Sequence, residues 1–285
     1  IYSITPLERG SLGHEILEKF ISAIAAEGTL PKPDESWNDH HRGILKRVAE
    51  SAFQNAESRG VTGKGVMWQL DRVDILNDLE TFLEEDSRLR ERFGVSPVMV
   101  EARFGLPDSA WSEALCVLDD GTTLKFRGII DRVDADPEGK KVLVLDYKTG
   151  GTRGYSRLKD DPVDKGKRLQ LGVYSLAAQG AMGNDVEVKA AYWFVTNRQG
   201  FVLAPPEPIS MDDIQERFKE AATTIVSGIK GGLFPANPGK EARNGFENCT
   251  YCDFNSLCPA RRDVLWAKKK GSSLLGGYLK LSGEA

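Results

Sequence analysis

The chain has 285 residues, 40% hydrophobic and 28% charged, with a formal net charge of −4. That length can bury a sizeable core in one large domain or two small ones, and the composition is that of an ordinary soluble protein. No apolar run approaches the ~20 residues that span a bilayer, and the net charge excludes a globally basic nucleic-acid binder while leaving a local basic surface open.

The first six residues, Ile1 to Pro6, lack the basic and apolar segments of a signal peptide. They also lack an initiator Met, so the sequence is expected to be a piece of a longer polypeptide. Ser11–Ile24 follows as an amphipathic helix: positions 14, 17, 21 and 24 share a face, with Leu17, Ile21 and Ile24 forming a buried stripe. His14 opens that stripe, and taken alone it reads as a hydrogen-bonded core residue. Breakers occupy Gly28 to Asn38. His40–Glu57 and Met67–Phe93 are predicted helices, with the break between them at Gly60–Gly65. No chemistry is visible here, and residues 30–95 read as a helical cap or insertion. His40 and His41 sit in a polar turn and are expected to face solvent.

Strands begin at Val98–Phe104, where Glu101 points to a site or to solvent. Leu115–Leu118 and Thr123–Asp134 follow, with Cys116 read as a core thiol. Ala135–Gly139 has turn chemistry, so Gly128–Asp134 and Val142–Gly150 should pair as a hairpin. Side chains alternate along a strand. Asp146 and Lys148 therefore share a face with Val142 and Val144, while Leu143, Leu145 and Tyr147 point the other way. Asp131 lies near enough to join Asp146 at one end of the hairpin.

The stretch Gly150–Leu169 is a loop with six basic residues: Arg153, Arg157, Lys159, Lys165, Lys167 and Arg168. Lys167–Ala181 reads as a helix carrying Gln170 and Tyr174 on one face. Val186–Thr196 is a buried strand with Phe201–Ala204 as its hairpin partner. Ser210 caps a helix whose Ile214, Phe218, Ala221, Ile225 and Ile229 are expected to face the core, and Gly231-Gly232 ends it. Of four cysteines, three lie in Cys249-Thr-Tyr-Cys252-Asp-Phe-Asn-Ser-Leu-Cys258, a spacing that suggests metal binding more than disulfides. The tail, residues 268–285, is basic, then rich in Gly and Ser, and is expected to be loosely held.

Two carboxylates and an amine at the end of a hairpin are costly to bury unless they hold a cation. Asp131, fourteen residues, then Asp146-Tyr-Lys148 is weak as a bare pattern. Its placement at strand ends is what gives it weight. Together with Gly13-His14, Gly128-Ile-Ile-Asp131, Asp146-Tyr-Lys-Thr-Gly150 and Gln170-Leu-Gly-Val-Tyr174, it resembles the PD-(D/E)XK nuclease superfamily, in its RecB/AddB-type branch. The resemblance runs from about His14 to Cys258.

The resemblance implies an α/β, restriction-endonuclease-like fold: a mixed central sheet flanked by helices, with a helical insertion. It implies one nuclease domain over residues 1–285, with the insertion at 30–95, the catalytic core at 97–232, a cysteine loop at 245–262 and the tail at 268–285. His14, Asp131 and Asp146 would bind Mg²⁺ or Mn²⁺ together with the Tyr147 backbone carbonyl. Lys148 would assist the attacking water, and Gln170 and Tyr174 would place substrate or support the lysine. The implied activity is exonucleolytic DNA hydrolysis in the cytoplasm, during double-strand-break repair and recombination. The helicase partner would sit in the same polypeptide or in another subunit, since no G-x-x-x-x-G-K-[ST] loop occurs here. A stand-alone Cas4-like nuclease has similar motifs, and a non-catalytic nucleic-acid-binding or scaffolding module of the same fold is the rival reading. For Cys249, Cys252 and Cys258 with Pro259, the family implies a [4Fe–4S] cluster whose fourth ligand is missing from this chain. Zinc, as in an interaction domain, is the alternative.

Overall fold

Alternating apolar residues in mid-chain build the central sheet of the computed structural model, which describes residues 2–243 and 245–284. Its strands are Ser96–Phe104 (β1), Gly128–Ala135 (β4), Lys141–Lys148 (β5), Glu187–Phe194 (β6) and Leu203–Ser210 (β7), in the order β1-β4-β5-β6-β7. Only β5 and β6 run parallel; the other neighbours are antiparallel. A parallel pair needs a long crossover, and here it contains the helix Gln170–Met182 (α4). Ala114–Val117 (β2) and Thr123–Phe126 (β3) form a separate hairpin.

The alternation splits the core in two. Leu143, Leu145 and Tyr147 of β5, with Ala191 and Trp193 of β6, face a helical layer made by Pro6–Glu27 (α1), Asp39–Ser58 (α2) and Gly65–Phe93 (α3). Val142 and Val144, with Val188, Ala190 and Tyr192, face α4, the helix Met211–Lys230 (α5) and the β2–β3 hairpin. A Cβ on Gly172 of α4 would stand 2.4 Å from the Phe218 ring of α5, so only glycine lets those helices approach this closely.

Local signals set the helix ends. The Thr5 hydroxyl accepts from the Glu8 N–H, Pro6 occupies the first helical position and Gly28 closes α1 in the left-handed conformation. Ser210 Oγ accepts from the Asp213 N–H at 3.1 Å to start α5.

The helical layer is joined to the hairpin by buried charge. Arg132 Nε and Nη2 each donate to a carboxylate oxygen of Asp134 at 2.6 Å. Arg132 Nη1 donates to Asp86 of α3, which also accepts from Arg90 Nε at 2.8 Å and Trp37 Nε1 at 2.7 Å. Arg132, Asp134, Asp86 and Arg90 are all fully buried. Burial pushes the Asp134 carboxyl up, and the adjacent Arg132 guanidinium opposes that.

The structure differs from the sequence reading at five points. His41 is buried rather than solvent-facing: Asn38 and His41 cap α2 reciprocally, and the His41 ring packs on Trp37. Residues 123–134 form two strands, because β3 pairs with β2 and β4 with β1. Ile229 is exposed, lying on the last turn of α5. Region 30–95 contributes a buried structural ion network through Asp86, which the sequence reading did not place. The tail is held: residues Arg262–Lys269 (α6) and Gly276–Ser282 (α7) are helical, and Leu275 and Leu281 are buried.

Candidate active site

The β4–β5 pairing runs from Ala135↔Val142 to Arg132↔Leu145. The next residues in register are Asp131 and Asp146, so the carboxylates sit where the ladder ends. The backbone N–H of Tyr147 donates to Asp131 Oδ2 at 2.7 Å, which fixes that carboxylate against β5. Asp146 is 2% exposed and ion-paired with Lys148, whose side chain is 27% exposed. That ion pair is made through Asp146 Oδ2, so the buried carboxylate is partnered by the lysine ammonium.

His14 arrives from the opposite layer. Its Nδ1 lies 3.5 Å from Asp131 Oδ2, and its ring meets Tyr147 edge-on at 5.8 Å. The approach of α1 is close: a Cβ on Gly10 would stand 3.0 Å from Thr149 Oγ1, just past β5. Gln170 opens α4 beside the lysine. Its Oε1 lies 3.5 Å from Lys148 Nζ, and its Nε2 donates to the Tyr174 hydroxyl at 2.9 Å. The structure thus brings His14, Asp131, Asp146, Lys148, Gln170 and Tyr174 into one constellation, and Tyr147 links its two carboxylates through the backbone.

Proton affinities follow from this crowding. Burial pushes Asp146 up to about 6; Lys148 opposes the rise and Asp131 adds to it. Burial alone would lower the His14 pKa, but the Asp131 carboxylate, with Asp146 behind it, makes the net shift upward. Burial also raises Glu101, and Asp131 adds to that rise.

Comparison with known proteins places this geometry. The sequence model of the PD-(D/E)XK nuclease superfamily matches residues 1–259. The chain belongs to the PD-(D/E)XK nuclease superfamily. Its five-stranded mixed sheet flanked by helices is consistent with the restriction-endonuclease-like fold of that superfamily. A subunit of the ATP-dependent helicase/deoxyribonuclease of Acetivibrio thermocellus is 26% identical over 181 residues, 61% of this chain and 15% of that protein. The like-named protein of Clostridioides difficile is 26% identical over 194 residues, 67% of this chain and 16% of that protein. The chain therefore spans about a sixth of the length of these relatives. The crystal structure of SSO0001 aligns at 16% identity over 73% of this chain and 80% of its own, with a TM-score of 0.29.

Members of the PD-(D/E)XK superfamily typically use divalent metals, and the donors here suit a hard cation: carboxylate oxygens with one imidazole. Among the described residues, His14, Glu101 and Asp131 form the one set of three metal-binding side chains with donor atoms within 4.8 Å of one another. Sequence reasoning left Glu101 open between site and solvent.

The cysteines do not make a comparable set. Cys249, Cys252 and Cys258 line one cavity of about 1090 Å³, with Cys252 exposed and the other two half-buried. Their sulfurs are not drawn together as the site side chains are. Cys116 is buried in the sheet core, where burial raises its thiol pKa. The thiols of the loop are thus one short of the four that a [4Fe–4S] cluster takes.

Proposed function

We propose that this chain hydrolyses DNA phosphodiester bonds with Mg²⁺ or Mn²⁺, as the exonuclease part of a RecB/AddB-like helicase–nuclease. The observation that carries the reading is the convergence of Asp131, Asp146, Lys148 and His14 where β4 and β5 part. Asp131, Asp146, His14 and the Tyr147 carbonyl would hold the cation. When bound, the cation supplies charge that offsets the anionic phosphate and acidifies a water. The Lys148 Nζ is kept near Asp146 and Gln170 Oε1. From there it donates toward the attacking water or a phosphate oxygen as negative charge develops. Tyr174 steadies Gln170, and Gln170 steadies Lys148. Substituting Lys148→Ala should reduce cleavage by at least ~100-fold, the scale of losing one donor to developing charge. Mn²⁺ affinity should stay near wild type, which calorimetry would check.

Protonation competes with the cation for the same groups. Both His14 and Asp146 have raised pKa values, the latter to about 6. Metal affinity should therefore fall steeply as pH drops from about 8 to below about 6, with protons released on binding near pH ~6.5. Calorimetric titration in buffers of different ionisation enthalpy counts those protons. An affinity that is flat across this range would remove His14 and Asp146 from the ligand set.

The substrate's path follows charge. A cleft of about 1080 Å³ opens beyond β5, between Thr149–Gly151 and the acidic α3 face of Asp71, Asp74 and Asp78. Arg9 pairs with Asp71 and Asp78 there, and Arg198 also lines the cleft, so its charge is mixed. Arg153, Arg157 and Lys159 lie on the loop that follows β5. Neutralising all three should weaken DNA binding and flatten its salt dependence by up to about three units of slope. An unchanged slope would show that the loop only faces solvent. For the cysteine loop, three thiols fall short of a [4Fe–4S] cluster by themselves, and zinc is the group they could hold with one further ligand. Iron and zinc analysis of protein purified without oxygen distinguishes them.

A further inference from the structure

Glu101 lies on β1, across the sheet from the hairpin motifs. Strands β1 and β4 pair at Val100↔Arg132 and at Ala102↔Ile130, so Glu101 stands directly opposite Asp131. Like charges in that position on adjacent strands destabilise one another. Glu18, one turn beyond His14 on α1, adds a third negative charge nearby. The backbone at Glu101 has φ 47°, a left-handed conformation that is uncommon and strained in non-glycine residues. Packing gives no reason for this residue here: the side chain is half-buried and, among the described residues, makes no ion pair with a basic side chain. Its carboxylate converges with the His14 ring and Asp131 to within 4.8 Å. Beside this group lies Asp146, 2% exposed and ion-paired with Lys148.

We infer that Glu101 is a cation-site carboxylate, so that His14, Glu101 and Asp131 together hold a divalent cation at the β1 side of the site. The inference rests on the proposed function and adds to it a ligand that the hairpin and helix motifs do not contain. A cation between the two opposed carboxylates removes their repulsion. It also gives the left-handed backbone a purpose, because that conformation re-aims the side chain relative to a regular strand.

The test is Mn²⁺ binding to the DNA-free chain, measured by calorimetry and by electron paramagnetic resonance of free Mn²⁺. Thermal unfolding with and without Mn²⁺ is followed alongside. Glu101→Gln should lower Mn²⁺ affinity at least ~10-fold, since even groups that only orient a metal's ligands are worth that much. Its metal-free unfolding temperature should equal or exceed wild type, and the Mn²⁺-induced rise should shrink. Glu101→Gly, which also relieves the left-handed backbone, should lose affinity in the same way while unfolding at a higher temperature. Wild-type Mn²⁺ affinity in both variants, with affinity lost in Asp131→Asn, would overturn the Glu101 inference and leave the nuclease reading intact. Full affinity in Asp131→Asn and Asp146→Asn as well would overturn the nuclease reading itself. A lowered metal-free unfolding temperature in Glu101→Gln with unchanged affinity would assign Glu101 a structural role instead.

Discussion

Asp146→Asn should abolish DNA cleavage and at the same time raise the melting temperature of the metal-free chain. The loss of activity should be at least ~1,000-fold, because a cation site contributes several kcal/mol to the barrier and each ~1.4 kcal/mol is tenfold. The stability gain follows from the proton affinity of the buried carboxyl. Its pKa in the folded chain is about 6, against an ordinary value of 3.8, with burial the largest cause. A raised carboxyl pKa means that the folded state holds the proton more tightly than the unfolded state does. Ionising it therefore destabilises the fold, by an amount that grows between about pH 4 and about pH 6 and is constant above that. Asparagine removes the charge and keeps the shape. We expect a gain of ~1–3 kcal/mol above about pH 6 that vanishes below about pH 4. Thermal unfolding at about pH 4 and about pH 7.5 with chelator present measures both arms. A variant less stable than wild type at the higher pH would mean that the Lys148 ion pair outweighs the burial of Asp146.

The largest loss of stability should come from Arg132→Ala. This guanidinium is fully buried and satisfies Asp134 and Asp86 together, joining the hairpin to α3. Removing one member of a buried ionic set strands the others, which costs ~3–5 kcal/mol. Asp134 would lose its charged partner altogether, whereas Asp86 keeps Arg90 and Trp37, so the loss should fall within that range. Chemical denaturation checks it. Replacing Arg132, Asp134 and Asp86 together by apolar residues of similar volume should recover much of the loss, because fewer buried charges would then be left unpaired. If Arg132→Ala alone is within ~1 kcal/mol of wild type, against the cost expected of a broken buried pair, water reaches the network and the two layers are less tightly joined than their burial implies.

Much of the site was legible because its key residues are local to short, regular elements. Period-two alternation put Asp146 and Lys148 on one face of β5 and Tyr147 on the other, and the cores divide along that line. Helical spacing put Gln170 beside Tyr174, and they are hydrogen-bonded. What was missed is long-range. The position of Glu101 opposite Asp131 depends on a pairing between strands distant in sequence and on a positive φ that no local signal announces. Asp86 and Arg132 are 46 positions apart, and Asp86 looks in sequence like any acidic residue on an amphipathic helix. The burial of His41 depends on Trp37 packing under α2, which composition alone does not reveal. Ile229 was misplaced for the opposite reason: its helical period is correct, but the last turn of α5 runs past the core it would have packed on.

Cation-dependent cleavage tests the central claim most directly. End-labelled linear DNA, single- and double-stranded, is incubated with an excess of the chain in Mg²⁺, in Mn²⁺ and in EDTA, with Asp131→Asn beside wild type. The account predicts progressive loss of label from the DNA with either cation, none in EDTA, and none with Asp131→Asn in any condition. Cleavage by wild type that persists in EDTA, or cleavage by Asp131→Asn at the wild-type rate, would contradict it.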